Sequence, residues 1–264
     1  MKIVEINNID DLLRVVNELS NSFVFRGQAN AAWALQSSLE RIIGDKWSST
    51  EAQKFEEFSL SLFKSKFHLY DRENVEPSSK LAWLSVMQHY GVPTRLLDFT
   101  ESPYVALYFA LEGYNPQTKA SLALYAIDYS DILEKSINWI QSKNNNFRET
   151  RATVYARQDY IFDKIVDPIA YDIVWVAEPK QLNARLDRQA GSFLISGNRG
   201  MRLEEVLASE LYLDSSKFKY VIAPELYVGL FALLRKMNIT SKSIYGDLDG
   251  LARSIRMQMQ IYAS

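Results

Sequence analysis

Cysteine is absent from this chain of 264 residues, and histidine occurs only twice, at His68 and His89. The first absence removes disulfides and thiolate chemistry and fits an intracellular protein. The second argues against a zinc site built from several histidines. No apolar run reaches membrane-spanning length, and the N-terminus, MKIVEINNIDDLL, turns charged too early for a signal peptide. A cytoplasmic protein with no membrane partner is therefore expected. Neither charge sign dominates: 30 Lys and Arg stand against 32 Asp and Glu, for a net charge of −2. That excludes a basic footprint over the whole surface, though not a local basic groove. Internal repeats, low-complexity tracts, a phosphate loop, a nucleophile elbow and a zinc motif are also missing.

What is present is enough for a large core. A hydrophobic fraction of 47% with 12% aromatics excludes general disorder. The pattern predicts a first helix over 11–19 capped by Asp10, then a strand over 23–28, FVFRGQ. A long helix runs from Thr50 to Tyr70 with Phe55, Phe58, Leu62, Phe63 and Phe67 as its apolar face. Ser79 caps a helix ending at His89. Further strands are read at 121–127, 172–177, 188–195 and 220–223, and helices at 131–139, 181–187, 224–237 and 246–257. The stretch 147–166 is polar and mixed. Helices and short strands alternate without regular βαβ order, which favours an α+β fold.

The chain is organised around Gln88 to Leu111, QHYGVPTRLLDFTESPYVALYFAL. Gly91 and Pro93 stop a helix, 94–99 reads as a strand, and Ser102-Pro103 starts a buried helix. Into this apolar unit the sequence places His89, Thr94, Arg95, Asp98, Thr100 and Glu101. Polar groups so placed form either a satisfied internal network or the floor of a site. Arg26, at the end of a buried strand, is either half of a structural salt bridge with Asp98 or Glu101, or an anion clamp. Gly27 beside it admits a close backbone or ligand. His89 is either a helix-end donor or an acid/base group, and Gln189 an ordinary loop amide or a site residue.

Phe25-Arg26-Gly27, QHYGVPTRLLDFT, SPYVALYFA, RLDRQAGSFLI and IYGDLDGLARSI together resemble the FRG domain, from about Phe23 to Ile255. Their order also resembles the ADP-ribosyltransferase fold. The resemblance implies one domain over 1–264, with 1–22 as an N-terminal helix and 224–264 as C-terminal helices packed on it. It implies a split, mainly antiparallel sheet flanked by helices, with NAD bound as a substrate in the split. Carried over by position, Arg26 grips NAD with Gly27 and Gln28. Thr94, Arg95, Thr100 and Ser102 form the middle element, and Gln189 stands near the third. His89 orients ribose or acceptor, and Asp98 stabilises positive charge.

Gln189 departs from the usual glutamate, and an amide is no general base. Asp98, Glu101 or Glu178 is left to supply the charge. The resemblance further implies a toxin of an anti-phage toxin–antitoxin system, with RNA as acceptor and a protein antitoxin as partner. Two alternatives stay open: a non-catalytic nucleotide or RNA sensor, and a metal-dependent nuclease using Asp98, Glu101 and Glu178.

Overall fold

A computed structural model gives the fold and describes residues 1–70, 76–177 and 188–263. Seven strands form one sheet: β1 Lys2–Ile6, β2 Phe23–Gln28, β3 Leu97–Thr100, β4 Leu122–Asp128, β5 Val174–Ala177, β6 Gly191–Ser196 and β7 Lys217–Ile222. Their order is β1-β7-β4-β2-β3-β6-β5. All pairings are antiparallel except β1 with β7. The described helices are α1 Ile9–Asn17, α2 Ser38–Ile43, α3 Ser49–Tyr70, α4 Lys80–His89, α5 Pro103–Glu112 and α6 Tyr129–Lys143. They continue as α7 Arg151–Ile161, α8 Asp167–Ile169, α9 Leu203–Leu207, α10 Tyr227–Lys236, α11 Ser241–Tyr245 and α12 Leu248–Ala263. None of them is long and apolar enough to cross a membrane. The α+β class and the mostly antiparallel sheet flanked by helices are as expected.

Helices cover both faces of the sheet. On β4, Leu122, Leu124 and Ala126 pack toward α5 and the C-terminal helices, while Ala123, Tyr125 and Ile127 pack toward the opposite cluster with Ile132 of α6. A strand buried on both faces reads as an unbroken apolar run, and β4 does. Local chemistry starts several helices where expected. Ser79 accepts from Ala82 N–H at 2.9 Å to cap α4, and Ser102 accepts from Val105 N–H at 3.3 Å to cap α5.

Three expectations need correction. Asn8, not Asp10, caps α1, accepting from Asp11 N–H at 2.7 Å. The first 22 residues hold strand β1 as well as a helix; its five residues, KIVEI, lie on a sheet edge and carry too little alternation to register. On α3 only part of the expected apolar face is inward. Phe63 and Phe67 meet Trp83, with ring centroids 6.4 and 4.9 Å away. Phe55, Phe58 and Leu62 lie about 100–160° round the helix from Phe63 and Phe67 and are exposed, Phe58 at 66%. The inward turn of α3 instead carries Glu56, 2% exposed.

Glu56 belongs to a buried ion cluster that ties α3, α4, α8 and the chain after β6 together. Arg95 Nε donates to Glu56 at 2.6 Å, and its Nη2 donates to Asp167. Lys80 Nζ lies 2.6 Å from Glu56 and 2.9 Å from Asp167, and Arg199 Nη2 lies 2.5 Å from Asp167. Burial pushes both carboxyl groups up, but Arg95 and Lys80 outweigh it and hold both below their ordinary values. The predicted helix over 181–187, with Arg185, and the carboxylate Glu178 lie outside the described residues.

Candidate functional site

The sheet opens in its middle. β2 pairs with β4 over six residues, and β3 with β6 over four, but β2 and β3 share only Phe25 with Thr100. Beyond that single pair the strands part. A cavity of about 330 Å³ lies there, lined by Arg26 and Gly27 of β2, Asp98 and Thr100 of β3, His89 at the end of α4, and Gln189 before β6. Three segments far apart in sequence therefore meet at one place.

Close packing of α5 on β2 sets one wall. A Cβ on Gly27 would stand 1.8 Å from the carbonyl oxygen of Ala106. The glycine next to Arg26 thus admits the backbone of α5, and any side chain there would drive helix and strand apart. Phe109 of α5 adds an aromatic surface to the lining.

Arg26 has a side chain 18% exposed. Its Nη1 donates to the Asp98 carbonyl at 2.7 Å, standing in for a ladder bond that the parted strands cannot make. The Asp98 carboxylate is 3.9 Å away and half exposed, so it neutralises the guanidinium weakly. Arg26 Nε is buried with no hydrogen-bond partner. Burial lowers the pKa of Arg26, Asp98 partly offsets this, and nearby Arg41 lowers it further. The salt-bridge reading holds in part: Arg26 does pair with Asp98, but the pair is loose and both residues line the cavity. A buried cation so poorly compensated attracts an anion.

A second buried donor without a partner is Gln189 Nε2. Thr100 Oγ1 donates to the Gln189 carbonyl at 2.6 Å and accepts from Ser102 N–H at 3.1 Å. One hydroxyl thus ties the corner before α5 to the segment carrying Gln189. His89 ends α4, where Tyr90 stacks edge-on against it at 4.8 Å and Gly91, at φ 81°, stops the helix.

Gln88 is a further member of the site that its residue type alone does not mark in the sequence. Its Nε2 donates to Asp98 Oδ2 at 2.8 Å, and its Oε1 accepts from Thr94 Oγ1 at 2.7 Å. Thr94 is itself held to α2, since its N–H donates to Ser38 Oγ at 3.0 Å and its carbonyl accepts from Leu39 N–H at 3.0 Å. The available signal was spacing: two hydrogen-bonding side chains flank the Gly91–Pro93 turn, which folds them together.

Four expected binding residues stand off the lining. Arg95 is committed to the ion cluster. Thr94 acts through Gln88, Ser102 caps α5, and Gln28 is buried with its Nε2 on the Ala34 carbonyl at 3.2 Å. Among the described residues no group of three or more His, Asp or Glu side chains is placed to hold a metal ion.

Residues 21–119 match the FRG domain. The FRG domain therefore contains β2, β3, α4 and α5, with Arg26, His89, Asp98 and Thr100 of the cavity. Gln189 lies beyond the FRG match, and the match is narrower than the stretch over which the motifs show resemblance. No curated protein and no solved structure matches the chain.

Proposed function

We propose that this chain is an NAD-dependent ADP-ribosyltransferase that modifies a nucleic acid, preferably mRNA, and so blocks translation. In this reading it is the toxin of an anti-phage pair and is restrained by a protein antitoxin. The supporting observation is that Arg26 and Gln189, each with a buried donor that has no partner, line one cavity together with Asp98. Such a lining favours a ligand that offers acceptor atoms to Arg26 and Gln189 and develops positive charge near Asp98. Its volume of about 330 Å³ is at the low end of ligand pockets, ~300–1,000 Å³, so a dinucleotide extends out of it.

NAD enters with its diphosphate at Arg26, where guanidinium and phosphate are matched in charge and shape. The bond between nicotinamide and ribose breaks, and nicotinamide leaves with the electron pair. Asp98 stabilises the positive charge left on the ribose. An acceptor oxygen or nitrogen then bonds to the anomeric carbon and releases its proton to solvent. His89 and Gln189 orient ribose and acceptor. With an amide at 189, the chemistry rests on orientation and charge stabilisation.

The test is incubation of purified protein with labelled NAD and RNA, DNA or protein acceptors. Label on RNA is the expected result; no label on any acceptor and no NAD consumed overturns it. The amide at Gln189 favours a second reading, a nucleotide sensor, which tight NAD binding without turnover would single out. The nuclease reading predicts metal-dependent RNA cleavage without NAD.

A further inference from the structure

Helix α12 is apolar on the wrong side. Its buried residues are Gly250, Ser254 and Met257. Its large apolar side chains Leu248, Leu251, Ile255, Met259 and Tyr262 are exposed instead, from 39% at Leu251 to 85% at Tyr262. At about 100° per residue these five fall within roughly 80° of arc, centred about 130° round the helix from the buried three. A continuous exposed apolar stripe along a whole helix marks an interaction surface.

The spacing of the stripe identifies its occupant. Taken from Leu248, the steps to the next members are three, four, four and three residues. The sequence of steps is the same from either end, with Ile255 at its centre. If the helix meets an identical helix running antiparallel, with a two-fold axis at Ile255, Leu248 faces Tyr262 of the copy and Leu251 faces Met259. Every apolar residue then finds an apolar partner, as an isologous interface requires. The exposed large apolar residues of α3, Phe55, Phe58, Leu62, Leu69 and Tyr70, lack this property, since their steps are three, four, seven and one. A net charge of −2 opposes association of copies only weakly.

We infer that α12 is a homodimerisation helix that pairs antiparallel with α12 of a second copy about Ile255. The absence of native cysteine makes a direct test possible. Ile255→Cys, which lies on the axis, is expected to give a disulfide-linked dimer under mild oxidation. Leu248→Cys alone is expected to give no disulfide-linked dimer, and a mixture of Leu248→Cys with Tyr262→Cys chains is expected to cross-link between the two. Sedimentation of the unmodified protein from micromolar to submillimolar concentration should show a monomer–dimer equilibrium. Ile255→Glu, which sets two like charges together on the axis and is fully tolerable on an exposed monomer face, should weaken it by at least about tenfold. A monomer at every concentration, or equal cross-linking of Leu248→Cys alone and Ile255→Cys, overturns the inference. So does a dimer that Ile255→Glu leaves intact. None of these outcomes depends on NAD turnover.

Discussion

At the scale of single residues, Gln88 decides where the Asp98 carboxylate points. Its amide grips Asp98 with one arm and Thr94 with the other. Under the proposed reaction it is a positioning residue, acting through Asp98. Gln88→Ala should lower kcat about 10- to 100-fold while leaving KM for NAD nearly unchanged. Thr94→Val should have the same signature, and Thr94→Ser, which keeps the hydroxyl, should restore turnover; steady-state kinetics of the three variants checks this. Gly27 is the complementary case, a residue whose value is the atom it lacks. With Ala106 O where its Cβ would be, Gly27→Ala should cost about 1–3 kcal/mol or more, measured by chemical denaturation. Arg26, His89, Asp98 and Gln189 were legible as a set because the motifs that bear them were legible. Arg95 was not separable from Thr94 and Asp98, since its partners Glu56 and Asp167 come from segments 39 and 72 residues away.

At the scale of elements, sequence worked where a local chemical signal ends an element. Ser79, Ser102, Pro103 and Gly91 act within one turn, and helices α4 and α5 were read from them. It failed where the decisive contact is remote or the backbone is irregular. Strand β1 owes its existence to β7, more than 200 residues later. Helix α7 carries a non-helical residue at Arg157 (φ −128°, ψ 18°) and runs into a π-helical turn over Phe162–Val166, so no single period describes it. Around these elements the ion cluster makes stability depend on pH. Glu56 and Asp167 titrate below their ordinary values in the folded chain. Their stabilisation is therefore fully present above pH about 4 and is lost as pH falls through the lowered values. Asp167→Asn should cost about 3–5 kcal/mol at neutral pH, because it leaves Arg95 and Arg199 under-paired. It should also flatten the fall of Tm with acid, readable in thermal melts across the acidic range.

At the scale of the whole molecule, the sheet is held together on both sides of a gap and barely across it. One residue pair and one arginine join β2 to β3. The space that opens there collects the end of α4, the corner before α5 and the approach to β6. The α+β class followed from the pattern of elements, but no spacing in the sequence states that β2 and β3 part after one pair. The central claim is that this gap is where NAD is used. It is tested most directly by comparing label transfer from NAD to RNA by the unmodified protein and by Arg26→Ala, with thermal melting of both. The account predicts that Arg26→Ala keeps its melting transition and loses transfer by about 100-fold or more. Transfer at the original rate by a folded Arg26→Ala protein would contradict it.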